Sequence, residues 1–429
     1  MTPAPQDMDT RSRSRAVLAA ILGNAFEWYD FGVFGFMTPV ISSLFFPAEG
    51  LGQADAVLLT TALFGTGFIT RPLGGIVLGL YGDRYGHQRA MVLGMSIMAG
   101  AMALMACAPP YRVGGALSLA MVIAARLLQG FSVGGEFATS TTALIELAPP
   151  GQRGFFGSWQ ITGQVMAQIM GAGLGYLVTS LFTHAQLYAY AWRIPFLFGL
   201  MILPLVFTLR HARHRPAPGG HAISTGETLA HLLGQRPQIL VGMGLVVAST
   251  VSFYVIYAYV VTYAATVLHL PMVHSYQVQL VAAGAMMLVV PFSGYLSDRC
   301  DRRAIMLASL LAYAIMIVPL YIWLVAAPSI ARLLVLQVAL SVASGMFLGT
   351  YCTFLVDLVS PQARATALAI INNLVVLLVG GFAQFIVTWL IQATGLKIAP
   401  SFFVLGGIAM GLAALASLPA SGNRPAGVR

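Results

Sequence analysis

Long apolar runs broken by short polar segments dominate this chain. Dividing it where charge, proline and glycine cluster gives twelve runs. They lie near 16–45, 55–80, 90–109, 114–147, 155–182, 191–210, 237–264, 277–297, 304–326, 331–358, 365–394 and 400–418. Each holds about 20 residues or more, enough for a helix to cross the hydrocarbon core of a bilayer. The pattern predicts an all-α membrane protein of twelve transmembrane helices in two six-helix halves. The expected divisions are an N-terminal tail over 1–15, a first bundle over 16–210, a linker over 211–236, a second bundle over 237–418 and a tail over 419–429.

Composition agrees with the pattern and narrows it. Of 429 residues 58% are hydrophobic and 8% charged, more apolar surface than a soluble core buries. The net charge of +9 does not point to nucleic acid, because the arginines gather in alternate loops. Arg11, Arg13 and Arg15, then Arg84 and Arg89, Arg210 to Arg236, and Arg299 to Arg303 mark one side. Loops richer in basic residues stay in the cytoplasm, which places both termini there. Cys107, Cys300 and Cys352 have neither metal-ligand nor disulfide-framework spacing. No phosphate-cradling Gly-x-x-x-x-Gly-Lys-Ser/Thr and no catalytic constellation is found, so neither an enzyme nor ATP as the driver is expected.

The halves repeat. Gly79-Leu-Tyr-Gly-Asp83-Arg84 follows the second run and Gly294-Tyr-Leu-Ser-Asp298-Arg299 the eighth, an offset of 215 between Asp83 and Asp298. Glu146-Leu-Ala-Pro-Pro150-Gly-Gln-Arg153 follows the fourth run and Asp357-Leu-Val-Ser-Pro361-Gln-Ala-Arg364 the tenth, an offset of 211 between Arg153 and Arg364. Two unrelated motifs at nearly one offset indicate a parallel internal duplication.

Charges inside the apolar runs are the chemical signal. Glu27 and Asp30 sit three residues apart in the first run, ringed by Trp28, Tyr29, Phe31 and Phe34. A carboxylate at that depth must be protonated, paired or wetted. Arg71 lies deep in the second run beside Pro72, and either pairs with Glu27 or Asp30 or holds a substrate carboxylate in its planar fork. Arg126 is central to the fourth run, and Glu136 lies ten residues on, about 15 Å away along a helix, too far for a local pair. Arg193 is either a vestibule residue or an interface anchor beside Trp192. Gln160, Gln164 and Gln168 recur every four residues on one helical face, of which Gln160 and Gln164 are placed in the cavity. Asn372, Asn373 and Gln384 are their counterparts in the eleventh run, and Tyr254, Tyr257 and Tyr263 line either the pathway or the packing.

The Gly-x-x-x-Asp-Arg loops resemble the signature of the major facilitator superfamily, over essentially the whole chain. Gly-Asn-x-x-Glu-Trp-Tyr-Asp-Phe at 23–31, Arg71-Pro-Leu-Gly-Gly75, Arg126 to Glu136 and Trp192-Arg193-Ile-Pro-Phe resemble its metabolite:proton symporter family. Phe155-Phe-Gly-Ser-Trp-Gln160 and the stretch Gly380 to Leu390 are similar to the citrate and tricarballylate branch. His87-Gln88-Arg89 departs from the more basic run usual at that point. The resemblance implies alternating access, with uptake of a tri- or dicarboxylate driven by an inward proton gradient and no other cofactor. It leaves open 2-oxoglutarate or a zwitterion such as betaine, export, or a receptor that moves nothing. It implies proton roles for Glu27, Asp30 and Glu136, and substrate contacts from Arg71, Arg126, Tyr29, Gln160, Gln164, Asn372 and Asn373. Gate latches are implied at Asp83, Arg84, Asp298 and Arg299, with Glu146, Arg153, Asp357 and Arg364 from the neighbouring loops. The partners implied are the organic anion, protons and the bilayer of a bacterial-type inner membrane, with no required protein partner.

Overall fold

The computed structural model describes residues 10–46, 52–85, 87–134, 136–201, 204, 234–360 and 364–418. Among them the chain is helical with no strand, and ten helices are long and apolar enough to cross a membrane. Two more complete the order. The first helix, Thr10–Phe36, has the length but carries arginines and two acids, and the sixth is described over Ile194–Gly199. Most of the linker, with the end of span six, lies outside the described residues.

Several spans are built in pieces. Span one runs as Thr10–Phe36 and then Thr38–Phe45, where Pro39 sits in the first turn of the second piece. Span two runs as Gln53–Ile69 and Arg71–Tyr85, with Pro72 just after the break. Proline lacks the N–H that would continue the ladder and crowds the preceding turn. Span four is Ala116–Val133 followed by Glu136–Glu146. Spans seven and eleven each contain a π turn, Phe253–Ala258 and Val376–Gly380, near their midpoints. Spans five, eight and ten run unbroken as Arg153–Leu181, Met272–Ser297 and Ile330–Leu358.

Within the first half, spans two and four meet backbone to backbone. A Cβ on Gly130 would stand 1.5 Å from the Gly67 carbonyl oxygen, and one on Gly134 would stand 2.1 Å from that of Arg71. The Thr70 hydroxyl bonds the Leu127 carbonyl at 2.6 Å along the same seam. Lipid tails are as apolar as leucine, so helices in a bilayer associate through such close packing. The seam has a functional consequence, because a Cβ on Gly67 would lie 3.0 Å from Nη2 of Arg126. Arg71 and Arg126 therefore owe their placement to glycine.

Between the halves, span five packs along span eight. Gly154 faces Ser297 near one end and Gly175 faces the Tyr276 ring near the other. Spans two and eleven make the second seam, where Gly65 meets Phe382 and Gly381 meets Phe68. The halves thus touch along spans five and eight from one end to the other and at the middles of spans two and eleven.

Gly130→Ala should lower the thermal-unfolding midpoint in detergent by an amount corresponding to at least about 1–3 kcal/mol, the cost of overpacking a filled interface. Gly100→Ala, where nothing lies within 4 Å of the added Cβ, is the control. Equal midpoints for the two variants would dissolve the seam argument.

Candidate functional site

Arg71 and Arg126 are almost completely buried, at 1% and 0% exposure. Arg126 donates from Nη1 to the Phe31 carbonyl at 3.1 Å and to Gln129 Oε1 at 2.6 Å, and from Nη2 to the Phe64 carbonyl at 3.0 Å. Its guanidinium lies 4.7 Å from the Phe31 ring and 4.8 Å from those of Phe34 and Phe64. Arg71 stacks at 5.5 Å on Phe31 and Phe68 and at 5.7 Å on Trp28, so the two cations share the Phe31 ring. Aromatic faces attract cations, but no carboxylate bridges either arginine among the described ion pairs. Nε and Nη1 of Arg71 and Nε of Arg126 have no hydrogen-bond partner among the described residues. The Tyr254 hydroxyl, from the other half, interacts electrostatically with both cations and has no well-formed hydrogen bond among the described residues.

Asp30 is fully buried on the other side of span one. Its Oδ1 would lie 2.3 Å from a Cβ on Gly199, where the Met102 methyl also sits, so the carboxyl faces spans three and six. Neither oxygen has a hydrogen-bond partner among the described residues. Tyr29 turns the same way and donates to the Pro195 carbonyl at 2.5 Å. Glu27 is half-buried and has interactions of its own. Span one therefore presents Asp30 and Tyr29 away from the centre and its Trp28, Phe31, Gly32 and Phe36 stripe toward it.

That stripe lines a central cavity together with Phe64, Gln164, Ala167, Gln168, Phe253, Tyr254 and Ala258, from spans two, five and seven. The cavity has room for about 20 Å³, enough for one water and far too little for a small organic acid. Gln164 and Gln168 reach it. Gln160 is fully buried without lining it, both amide atoms unpartnered among the described residues. Gln384 of span eleven is also unpartnered among them, its Nε2 3.3 Å from where a Cβ on Gly35 of span one would be. Asn372 is buried, and Asn373 donates across the halves to the Gly134 carbonyl at 2.8 Å. Arg193 is held at one end of the bundle, donating to the Ala106, Ala189 and Ala108 carbonyls while stacking on Trp192 at 4.4 Å.

On the arginine-rich face, hydrogen bonds and an ion pair join the halves. Asp298 accepts from the backbone N–H of Gly154 at 2.7 Å and of Phe155 at 2.9 Å. Its carboxylate thus caps the start of span five, where the helix dipole favours negative charge. Asp357 bridges Arg153 at 2.9 Å and Arg302 at 2.5 Å, and Arg302 also reaches Asp298 at 3.4 Å. Arg302, part of the repeated loop but not among the expected gate residues, is the cation joining both acids, while Arg299 stacks at 3.7 Å on Tyr295. Glu146 and Arg364 line a 360 Å³ pocket beside Arg153, with no ion pair between them among the described residues. Arg84 is exposed and stacks on Tyr85. Asp83 and Glu136 are in described helices, but their side chains lie outside the described residues.

Comparison with known proteins agrees with this architecture. Residues 16–213 match the family model described as sugar (and other) transporter, and residues 277–427 match that of the major facilitator superfamily. The citrate-proton symporter of Salmonella typhi is 35% identical over 94% of this chain and 93% of its own length. The proline/betaine transporter of Escherichia coli K12 is 29% identical over 97% of this chain and 86% of its own. The xylose transporter of E. coli, solved in a partially occluded inward-open conformation, superposes with a TM-score of 0.77 at 16% identity, over 97% of this chain and all of the other. These matches, with the helical twin halves, place the chain in the major facilitator superfamily of membrane transporters, within its metabolite:proton symporter family.

Proposed function

We propose that this chain is a proton-coupled symporter that takes up a small organic acid, a tri- or dicarboxylate such as citrate or tricarballylate, by alternating access. The observation that carries the reading is Arg71, a buried guanidinium behind the cavity wall that, among the described residues, has two unpartnered N–H groups and no acid bridging it. An uncompensated cation at that depth is costly, and an anionic ligand is the natural means of offsetting it. Arg126, locked by two carbonyls and Gln129, is a second fixed positive charge beside it.

The cycle follows from the geometry. The central space is too small for the substrate when both faces are shut, so loading requires the halves to part. Phe31 and Tyr254, which stand between the cavity and Arg71, move with that opening. Asp30 supplies the proton site, since enclosing a neutral carboxyl costs far less than enclosing a carboxylate without a partner. Proton binding therefore favours the occluded form, and the substrate's negative charge favours it through the arginines. Each ligand adds to a closure that neither drives alone. The reading puts the protein in a bacterial-type cytoplasmic membrane with both termini inside. It needs only the proton gradient and no protein partner. The likeness to a proline/betaine transporter supports a second reading, a zwitterionic substrate whose single carboxylate meets the same arginines.

Proteoliposomes should accumulate radiolabelled citrate under an inward proton gradient, with tricarballylate competing and betaine not. Competition by betaine or 2-oxoglutarate alone would move the substrate and keep the family. Arg71→Gln should weaken citrate binding by about tenfold or more, and Arg71→Lys should recover only part of it, because the ammonium lacks the bidentate fork. Undiminished affinity in Arg71→Gln removes that residue from the site. Asp30→Asn should abolish gradient-driven accumulation while citrate exchange between preloaded vesicles and medium persists. Accumulation at the unmodified rate would put the proton elsewhere.

A further inference from the structure

Gln168 lines the cavity, and behind it runs a chain of buried amides that crosses from one half to the other. Gln279 of span eight donates from Nε2 to Gln168 Oε1 at 3.0 Å. Gln337 of span ten donates from Nε2 to Gln279 Oε1 at 3.1 Å and to the Ile256 carbonyl at 2.5 Å. Gln279 and Gln337 are both fully buried. Ile256 lies in the π turn Phe253–Ala258 of span seven, where the altered ladder lets a carbonyl take a side-chain donor.

The anchor decides the direction of the whole chain. An amide side chain can be turned over, exchanging its oxygen and nitrogen, and only its partners fix which way it points. A backbone carbonyl can only accept, so Gln337 must present its NH₂ to Ile256. The second N–H of that group then meets Gln279, which must offer its oxygen there and its nitrogen to Gln168. Gln168 in turn has its oxygen occupied. Its Nε2 is left with no partner among the described residues, on a side chain that lines the cavity. Turning any one amide over would set oxygen against oxygen or nitrogen against nitrogen.

We infer that Gln337 and Gln279 are positioning residues that hold the Gln168 amide as an obligate hydrogen-bond donor, selecting substrates that present a carboxylate or hydroxyl oxygen at that point. The inference rests on the carboxylate-transport reading and adds to it a specificity element from the second half. The arginines supply charge from spans two and four. The amide chain supplies a neutral, directional contact from the span-five side of the cavity, and one link of it, Gln279 to Gln168, joins the two halves.

The test is a double-substitution cycle in proteoliposomes, read as KM and kcat for proton-driven uptake of citrate, 2-oxoglutarate and betaine. Gln279→Leu should raise KM for a transported carboxylate by about tenfold, the loss expected for a hydrogen bond to a charged group, with kcat little changed. In a Gln168→Leu background Gln279→Leu should add nothing, because Gln279 acts through Gln168. Gln337→Leu should behave as Gln279→Leu does. A merely structural role would give additive effects in the double variant, and that result overturns the inference, as does an unchanged KM in Gln279→Leu. Citrate uptake by the unmodified protein with additive substitutions would sink the inference and leave the transport reading intact. Uptake of betaine alone, with non-additive substitutions, would do the reverse for citrate. No uptake of any carboxylate overturns both.

Discussion

A charge at the depth of the hydrocarbon must be paired, wetted or neutral, and the first half of this protein holds three ionisable groups there without an ion pair among the described residues. Arg71 and Arg126 rest on aromatic rings and carbonyl oxygens, and Asp30 rests against Gly199 and Met102. Nothing about helix packing alone requires such an arrangement, since three apolar side chains of similar volume would pack without the electrostatic cost. The charges make sense as one side of an interaction whose other side arrives from outside. The glycine seam between spans two and four is what keeps the two cations side by side despite their mutual repulsion. The backbones meet so closely there that a Cβ on Gly130 or Gly134 would overlap the facing carbonyl.

The sequence made much of this legible and mislaid some of it for a definite reason. Twelve spans, two halves and the buried charges all follow from hydropathy and the doubled motifs. Face assignment does not. Glu27, Tyr29 and Asp30 share a stretch with Trp28, Phe31 and Gly32, and the sequence marks the acids as the more conspicuous set. In the structure the aromatic and glycine stripe faces the cavity, while Tyr29 and Asp30 face spans three and six. A helix of a two-half transporter has one face to its own bundle and another to the centre. Both faces are dry, so periodicity cannot separate them. Gln279 and Gln337 escaped notice for a related reason. Each is a lone amide in an apolar run, and only the fold brings them into line with Gln168.

The doubled loop motifs show a different limit. Glu146 with Arg153 and Asp357 with Arg364 are equally spaced within their own repeats. Spacing therefore cannot tell a pair inside one half from a pair between halves. The structure joins Arg153 to Asp357 across the interface and brings in Arg302 as a second cation. It also gives Asp298 to the backbone N–H groups of span five, a partner no side-chain motif could announce. The duplication is thus visible in sequence, while its interlock is a property of the assembled pair.

The two faces of the molecule are closed by different chemistry. The arginine-rich face is held by carboxylates, guanidiniums and a helix start, with Arg153 43% exposed at its side chain and so open to water and screening. The opposite face is held by neutral contacts. Tyr276 donates to the Phe36 carbonyl at 2.6 Å, beside the break above Pro39, and Gln392 donates to the Ala54 carbonyl at 2.7 Å. These contacts between the halves carry no ion pair, so salt does not screen them. On the other face the bonds of Arg153 and Arg302 to Asp357 and Asp298 must break for the halves to part there. The two faces therefore differ in what opposes their opening, charge pairing and a capped helix start at one and neutral hydrogen bonds at the other.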